Sequence, residues 1–445
     1  MRSGSQNSQE ATPLSEGTSF ELLNGVSGQG CNPYAAPKDD VSCLAGKRMA
    51  VVLFSNFPGD PRPRRAAETF ALAGMAVEVL CLMDEGSSTR DTFKGIEVER
   101  VTIKKLRNSK LWYLVQYGLF ILIAFGKLTV RSLSKPYDIV HVHNMPDILV
   151  FTALIPKLLG SKVILDLHDP MPELMRTIFG FGKDSAAVKW MTRFERWSIS
   201  FSDRVITVNR ACEKLFASRS CKPEKVSVIM NAPDEKIFQY VPVRQRNRGL
   251  AKTQAPFVLM YHGTIVERNG LDLVVDALEK ILDVIPTAEL RVYGHRTPFL
   301  DQVMDDLPKK RLEKSVQYCG PRRLEELVRA IEECDVGVIP NRRSIFTEIN
   351  TPTRIFEYLA LGKPVVAPRA PGIEAYFDKE SLVFFELGEV EDLAEKLLWV
   401  ATHPADAYEI TKRGQEIYRE HAWSREREKL LNIGISLLQN SEIRT

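Results

Sequence analysis

Short apolar runs alternate with amphipathic stretches from residue 48 onwards. The first runs are RMAVVLF and AVEVLCL, at 48–54 and 76–82, and the segment between them has apolar residues at helical spacing. Further runs of the same kind lie at 137–143, 162–168, 204–209 and 226–231. Strand-like runs that alternate with helices indicate a parallel sheet covered by helices on both faces. We therefore predict an α/β, Rossmann-like doubly wound domain over residues 47–235.

The alternation stops once and then restarts. Residues 236–256 are polar, punctuated by prolines and without period, so they are predicted to be a linker. Six more apolar runs follow, at 257–263, 289–294, 316–320, 336–340, 364–368 and 382–387. They predict a second domain of the same type over 257–423. The carboxyl edges of the two sheets are expected to face one deep cleft, which is where ligands bind in such sheets.

Composition and charge narrow the class of protein. With 445 residues, of which 44% are hydrophobic and 26% charged, the chain has room for two full cores. A formal charge of +3 gives no reason to expect a nucleic-acid partner. Seven scattered cysteines without a CxxC pair predict reduced thiols in a cytoplasmic protein. Residues 1–46 are rich in Ser, Gly, Asn, Gln and Pro and lack the apolar core of a signal peptide, so a disordered tail is expected there.

The most apolar stretch, LWYLVQYGLFILIAF, lies at 111–125. It is shorter than the roughly 20 residues that a spanning helix needs. Lysine and arginine residues flank it on both sides within 104–135. An apolar helix with basic ends suits peripheral contact with an anionic membrane, here at the inner face of the cell membrane. A core helix packed on the first sheet, with solvated ends, is the alternative.

Residues 350–377, NTPTRIFEYLALGKPVVAPRAPGIEAYF, have the pattern of loop, helix, strand and loop. Thr351 is expected to cap the helix, and Pro352 suits its first position. The free amides of the first turn, with Arg354 beside them, would bind an anion. One turn further in, Glu357 would accept hydrogen bonds from a diol such as the hydroxyls of a ribose. The pattern thus predicts a nucleotide site, and a solvated surface helix is the alternative.

Polar residues follow three strands of the first domain, where the cleft would lie. His168 and Asp169 end one strand, and His143 ends its neighbour. Two such strand ends side by side favour a role at the cleft over a purely structural role. In SNFPGDPRPRR, the loop after the first strand, Gly59 and three arginines, Arg62, Arg64 and Arg65, are suited to an anionic acceptor or a diphosphate. A solvated charge run is the alternative there, and the spacing of all these residues predicts no metal site.

The second domain offers the complementary half of a nucleotide site. After its first strand, HGTIVERNG gives a phosphate-sized loop that begins at Gly263 and Thr264, with Arg268 in reach of phosphate oxygens. Gly294 follows the next strand and would line the same edge. Together with Arg354 and the ribose carboxylate, these residues are expected to converge on one nucleoside diphosphate.

Five segments carry a resemblance to a known family: YDIVHVHNMPD, LDLHDPMPEL, YHGTIVERNGLDL, NTPTRIFEYLALGKPVVAP and FFELGEVEDLAEKL. Over about 48–438 the chain resembles the family 4 retaining glycosyltransferases of the GT-B fold, bacterial enzymes that build cell-surface polysaccharides and glycolipids. The resemblance implies that Glu357 binds the donor ribose, that a basic pair holds the diphosphate, and that His168 contacts the donor sugar and the acceptor. It also implies a last helix, 424–445, that crosses back to the first domain.

Two departures from the family pattern concern the sugar and the phosphates. The family commonly has another Glu eight positions before the ribose Glu, where this chain has isoleucine, so Glu348 or Asn350 would take over its contacts with the sugar hydroxyls. The usual basic pair is replaced by threonine and asparagine. Arg268 and Arg354 would therefore supply the positive charge between them.

The expectation is a retaining, metal-independent glycosyltransferase with a nucleotide-diphosphate sugar as donor substrate and no further cofactor. Its acceptor would be a glycan or a lipid-linked glycan in cell-surface polysaccharide synthesis. Two alternatives remain open. One is a nucleotide-sugar epimerase, which shares two tandem Rossmann-like domains and a cleft. The other is a non-catalytic sugar-nucleotide-binding protein, which the missing second Glu suggests.

Overall fold

The computed structural model describes residues 41–84, 86–103, 110–245 and 255–442, which belong to one compact unit. Two sheets form, one in each half of the chain, and helices cover both faces of each. The predicted fold class, two tandem Rossmann-like domains, is therefore confirmed.

The first sheet has eight strands in the order β3-β4-β2-β1-β5-β6-β7-β8. Its strands are β1 Arg48–Asn56, β2 Ala76–Leu82, β3 Arg90–Phe93, β4 Ile96–Val101, β5 Ile139–His143, β6 Lys162–Leu167, β7 Arg204–Thr207 and β8 Val226–Val228. Its helices are α1 Pro61–Leu72, α2 Lys110–Ser134, α3 Leu154–Leu158, α4 Met171–Phe179, α5 Ala186–Phe201 and α6 Arg210–Arg219. The alternation of apolar runs had predicted six of these strands, and β3 and β4 were missed.

The missed strands form the one antiparallel pair among the described residues. Lys94 and Gly95 make the two-residue turn between them, both with positive φ, 50° and 81°. Strand β4 looks like a loop in the sequence because Glu99 and Arg100 interrupt its apolar residues. Both are nevertheless buried, since Glu99 pairs with Lys127 of α2 (2.5 Å) and Arg100 donates to the carbonyls of neighbouring loops.

The second sheet has six parallel strands in the order β11-β10-β9-β12-β13-β14. Its strands are β9 Phe257–His262, β10 Ala288–Tyr293, β11 Val316–Tyr318, β12 Val336–Val338, β13 Val365–Arg369 and β14 Val383–Glu386. Its helices are α7 Leu271–Leu282, α8 Pro298–Lys310, α9 Leu324–Glu333, α10 Ile345–Ile349, α11 Thr353–Ala360, α12 Pro371–Glu374, α13 Val390–Thr402 and α14 Pro404–Glu420. All six predicted strands are present, each within a few residues of its predicted ends.

Helix α15, Trp423–Glu442, returns from the second domain to the first. Leu430, Leu431 and Ile435 are buried in the same core cluster as Met49 and Phe70 of the first domain. The backbone N–H of residue 230 donates to a carboxylate at the start of this helix (2.8 Å). The last helix thus completes the hydrophobic core of the first domain.

The two polar segments outside the domains pack differently from the sequence expectation. Residues 41–46, placed in the tail, include a 3-10 helix, Val41–Leu44, whose Leu44 is fully buried in the first-domain core. Residues 1–40 lie outside the described residues. In the predicted linker, Phe238 is buried and the N–H of Val241 donates to the carbonyl of Ala360 at the end of α11 (2.8 Å). Residues 236–245 therefore lie along the second domain, and 246–254 are not described.

Helix α2 has features of both structures predicted for the apolar stretch 111–125, a core helix and a helix on the membrane surface. Phe120, Ala124 and Leu128 are buried in the first-domain core. The opposite side carries an exposed apolar stripe made of Val115, Leu119, Leu122, Val130 and Leu133. Among the described residues, the segment Val115–Ser134 is the one helix long and apolar enough to cross a membrane, a criterion of length and composition that core helices also meet. Two of its expected basic anchors turn inward, since Lys127 and Arg131 both pair with Glu99.

Candidate nucleotide and sugar site

The loop after β9 approaches the start of α11. Gly263 has φ of 114°, and a Cβ there would lie 3.2 Å from the Cδ of Arg354. The guanidinium of Arg354 donates to the carbonyl of His262 (2.7 Å) and lies 5.0 Å from the centroid of the Tyr261 ring. The structure therefore brings together a glycine and an arginine that are far apart in the sequence, as expected for a phosphate-binding loop.

A second glycine lets the next loop close on the first. A Cβ at Gly294 would lie 2.3 Å from the carbonyl oxygen of Gly263, which is too close for any side chain. The exposed Thr264 is held through its carbonyl, which accepts from the Tyr261 hydroxyl (2.9 Å) and the Asn269 amide (2.7 Å). Asn269 thus shapes the loop instead of adding charge to it. The loop is fixed before any ligand binds.

Helix α11 begins one residue later than its sequence pattern predicted. Its N-cap residue is Pro352, and no side chain caps its first turn. The prediction that Thr351 caps it was wrong, because the Thr351 hydroxyl donates to the carbonyl of Gly372 instead (2.6 Å). The backbone amides at the start of α11, next to Arg354, are therefore left without a side-chain acceptor, which suits an anion.

Glu357 occupies a largely buried position one turn into α11. Its side chain is 16% exposed, and its Oε2 lies 3.3 Å from Nε2 of His262. Burial raises the pKa of Glu357 to about 7, and the charges of Arg354 and Arg65 oppose that rise. Burial lowers the pKa of His262 to about 3, so this imidazole is neutral at pH 7. Because Arg65 belongs to α1, the carboxyl group of the second domain interacts with a cation of the first.

Four side chains at the ends of β5 and β6 form a buried histidine cluster, defined as His141, His143, Asp166 and His168. His143 is in register with Asp166, and its Nδ1 lies 3.4 Å from the Asp166 carboxylate. The same Nδ1 lies 2.9 Å from Nε2 of His168. His141 lies beside His143, with 4.2 Å between the ring centroids and an angle of 30° between the rings, and is 3.6 Å from the carboxylate. One carboxylate thus organises three imidazoles.

Arg62 neutralises the carboxylate of this cluster. Its guanidinium contacts both oxygens of Asp166, at 2.7 to 3.1 Å, and its remaining nitrogen donates to the carbonyl of Ile229 (2.7 Å). Burial opposes ionisation of Asp166, but Arg62 and the imidazoles outweigh it and hold the pKa of Asp166 well below its usual range. Arg62 is buried and its charge is already paired. Its expected role as a cation for the acceptor therefore does not agree with the structure.

The other acceptor-side residues lie around the start of α1. The loop predicted over SNFPGDPRPRR ends early, because helix α1 already begins within this segment. Asp60 caps the helix by accepting from the N–H of Arg62 (3.3 Å). Arg64 is half-buried on this helix. Gly59 packs on the side chain of Asn56, which a Cβ would approach to 2.8 Å. The arginines of SNFPGDPRPRR therefore belong to a helix and not to an open turn.

His168 and Asp169 lie where the two domains meet. Burial lowers the pKa of His168 to about 4, with Asp166 opposing, so the imidazole is neutral at pH 7. Burial raises the pKa of Asp169, and Arg268 of the second domain opposes that rise. Arg268 itself lies 6.0 Å from the Phe346 ring centroid. A cation of each domain thus acts electrostatically on a carboxyl group of the other.

Two family models match the chain, one in each domain. The model for a glycosyl transferase 4-like domain matches residues 60–232, and that for glycosyl transferases group 1 matches residues 256–403. The chain belongs to the family 4 glycosyltransferases. Its two sheets are the two domains of the GT-B fold that this family shares.

Known proteins resemble this family 4 glycosyltransferase over part of its length or in fold. The probable glycosyltransferase WbjE of Pseudomonas aeruginosa is 24% identical over 255 residues, 56% of this chain and 61% of WbjE. The putative colanic acid biosynthesis glycosyl transferase WcaI of Escherichia coli (strain K12) is 26% identical over 39% of this chain and 44% of its own length. The chain thus spans less than two thirds of either relative. HepE of Anabaena, solved in complex with UDP, has 16% identity and a TM-score of 0.65, covering 88% of this chain and 99% of HepE, which shows the fold alone.

The substitutes for the missing family Glu lie on α10 and just after it. Glu348 is 41% exposed, and its carboxylate lies 3.7 Å from Arg343. The carbonyl of Ile349 accepts from the Asn209 side chain of the first domain (2.9 Å). A Cβ at Gly372 would lie 2.5 Å from the carbonyl of Asn350. In this family 4 glycosyltransferase, α10 therefore bridges the two domains, and the isoleucine at the family's Glu position packs against the first-domain core.

The spacing argument against a compact imidazole and carboxylate set was wrong. One ligand atom each of His141, His143 and Asp166 lies within 4.8 Å of the others, because the two strands pair in register. Both oxygens of Asp166 already contact Arg62, and a cation would have to displace that guanidinium.

Asp166, His141 and His262 were the residues that sequence reasoning missed. A signal existed for the first two, because HVH and DLH have polar residues two apart and so on one face of each strand. A charged residue inside a buried strand requires a buried partner. For His262 the pattern gives no comparable signal, since its neighbour Glu357 is almost a hundred residues away in the chain.

Proposed function

We propose that this protein is a retaining glycosyltransferase that moves a sugar from a nucleoside diphosphate sugar to a glycan or lipid-linked acceptor in cell-surface polysaccharide synthesis. One observation supports the proposal: a cation of each domain acts electrostatically on a carboxyl group of the other, Arg65 on Glu357 and Arg268 on Asp169. Gly263, Arg354 and Glu357 come from the second domain, and His168 and Asp169 come from the first. Such a division suits a donor held by one domain and an acceptor held by the other.

The donor would bind through its nucleoside diphosphate. The diphosphate would lie against the glycine loop and the uncapped first turn of α11, with Arg354 and Arg268 supplying charge. The ribose hydroxyls would donate to Glu357, whose ionised form then gains the hydrogen bonds that offset its burial. The complex of HepE with UDP, a protein of the same fold, supports this class of ligand.

The sugar would reach across the cleft to His168. The bond between C1 of the sugar and the diphosphate oxygen breaks, and an acceptor hydroxyl forms a new bond to C1 on the same face. The acceptor proton passes to the departing phosphate oxygen. Arg268 and Arg354, with the α11 amides, stabilise the charge that develops there, so the mechanism requires no metal ion. His168, neutral at pH 7, would hydrogen-bond the sugar and the incoming acceptor.

A lipid-linked acceptor would bring the enzyme to the inner face of the cell membrane. The exposed stripe of α2, within 104–135, offers apolar contact for this, with Leu122 and Leu133 among its most exposed residues. Because Lys127 and Arg131 pair with Glu99, this end of α2 would bind the membrane mainly through apolar contact.

Product analysis with a panel of nucleotide sugars and acceptors tests the proposal. A transferase releases nucleoside diphosphate and a glycoside only when an acceptor is present, and retention gives the anomeric configuration of the donor. An epimerase would instead release an isomeric nucleotide sugar without an acceptor. A binding protein would be stabilised by the diphosphate, by roughly 2.7 kcal/mol at 100 times its dissociation constant, yet turn nothing over.

A further inference from the structure

Helix α5 presents aromatic residues to solvent at helical spacing. Trp190 and Trp197 are 49% and 51% exposed. Phe194 lies between them, with its ring centroid 5.8 Å from each indole. The guanidinium of Arg193 lies 5.3 Å from the Trp190 ring centroid. Large aromatic side chains exposed side by side on one helix face need an explanation, because isolated exposed apolar residues are common but contiguous ones mark contact surfaces.

The charges on the same side of α5 all have one sign. Lys189, Arg193 and Arg196 are exposed. The single acid of the helix, Glu195, is fully buried and pairs with Arg219 of α6 (2.5 Å), whose carbonyl accepts from the exposed Arg196 (2.8 Å). We call the exposed side of α5, formed by Lys189, Trp190, Arg193, Arg196 and Trp197, the Trp-Arg face. It combines a row of indoles with three positive charges and no negative charge of its own.

The Trp-Arg face belongs to the same layer of the first domain as α2. Both helices pack against the segment Asp147–Ala153, and the rings of Phe151 and Phe201 lie 5.2 Å apart there. The two surfaces differ in character, since the stripe on α2 is apolar and Lys127 and Arg131 beside it are paired with Glu99. Helix α5 adds three exposed cations to this layer.

We propose that the Trp-Arg face lies flat on an anionic lipid bilayer. Indole rings favour the boundary between headgroups and acyl chains, because one part of the ring is apolar and its N–H can hydrogen-bond. Lysine and arginine close to an anionic leaflet are attracted to its phosphates. The buried side of α5, with Val188 and Ile199, fixes the helix to the domain. Helix α4, which follows Asp169 directly, packs on α5, so docking brings the acceptor side of the cleft to the membrane.

Sedimentation of the full chain with vesicles tests the charges. Each cation near an anionic surface contributes about fivefold to the partition coefficient. Neutralising all three would therefore lower partition onto vesicles with phosphatidylglycerol by about 100-fold, and reversing them, by Lys189→Glu, Arg193→Glu and Arg196→Glu, should lower it at least as much. A control with the same net change on the second domain should partition as wild type: Lys309→Glu, Lys314→Glu and Lys379→Glu. Equal losses of partition in both variants would overturn the proposal. It would also be overturned if wild type bound neutral phosphatidylcholine vesicles as strongly as it binds anionic vesicles.

Fluorescence tests the depth of the indoles. Wild type should show a blue shift on anionic vesicles, and the variant with Trp190→Phe and Trp197→Phe should lose that shift while still binding. A shift that persists would come from another tryptophan and would contradict the proposed orientation. The vesicle-free melting temperature, unchanged in all variants, verifies that they are folded and requires no nucleotide, which keeps this outcome separate from the transferase proposal.

Two further results distinguish the partner. If Leu122→Ser with Val130→Ser abolishes vesicle binding and the α5 reversals do not, the membrane contact is made by α2 and the proposal for α5 is wrong. If the wild type instead dimerises in solution, and the α5 reversals prevent dimerisation with no binding to vesicles, the Trp-Arg face is a protein interface and the proposal is overturned.

Discussion

Replacing Glu357 by glutamine should change stability and nucleotide affinity in opposite directions. Burial raises the pKa of this carboxyl from 4.5 to about 7, so the folded protein holds the proton more tightly than the unfolded chain. The stability that this contributes is full below pH 4.5 and is lost as the pH rises through about 7. The loss amounts to roughly 3 kcal/mol. Glutamine cannot ionise, so Glu357→Gln should be more stable than wild type at pH 8 and equally stable at pH 4.

The same substitution should weaken nucleotide binding at high pH. A ribose diol donates to the ionised carboxylate, and losing a charged hydrogen bond costs about 1.5 to 3 kcal/mol, or roughly 10- to 100-fold in affinity. Affinity for UDP should therefore rise through pH 7 more steeply for wild type than for the variant. Because the phosphates of UDP titrate alike in both cases, the difference between the two proteins isolates the residue.

Calorimetric titration with UDP and chemical unfolding, each from pH 5.5 to 8.5, measure both quantities. Glu395→Gln is a suitable control, since its carboxylate is 73% exposed and no shift in either quantity is expected. A Glu357→Gln variant that binds UDP as well as wild type at pH 8 would refute the ribose contact. A variant that is less stable than wild type at pH 8 would refute the conclusion that burial destabilises the ionised carboxylate of Glu357.

Three further predictions concern the rest of the cleft. His168→Ala should lower turnover by about 100-fold and leave UDP affinity unchanged, because it removes one preorganised contact to the transition state. A variant that is destabilised but still active would show that this histidine has only a structural role. Arg268→Ala and Arg354→Ala should each slow turnover, and the double variant should lose less than the product of the two, since both act on one diphosphate; equal binding of UMP and UDP by wild type would contradict this arrangement. Gly294→Ala should weaken UDP binding and lower the melting temperature, because its Cβ would lie 2.3 Å from the carbonyl of Gly263, and unchanged binding would mean that the loop opens freely.

The sequence predicts the fold well because most strands here are apolar and buried on both faces. Strand β4 was not predicted, because its buried Glu99 and Arg100 pair with distant partners that no local sequence pattern reveals. At the site, Gly263 and Arg354 could be paired from the sequence since each has a recognisable position at the end of a strand or the start of a helix. Arg62 could not be interpreted correctly, because its partner Asp166 lies 104 residues further on. A charged residue with no partner nearby in the sequence suggests a ligand site, but in the folded protein its counter-charge can come from a distant segment, as here.

The return of α15 to the first domain has a consequence for synthesis on the ribosome. Domains usually fold in the order in which they emerge. Here Leu430, Leu431 and Ile435 fill the core around Met49 and Phe70, although they are translated nearly 400 residues later. The first domain therefore leaves the ribosome with an open apolar groove, and it waits for the second domain to be made. Chaperones that cover such grooves would be needed longest for this half of the protein.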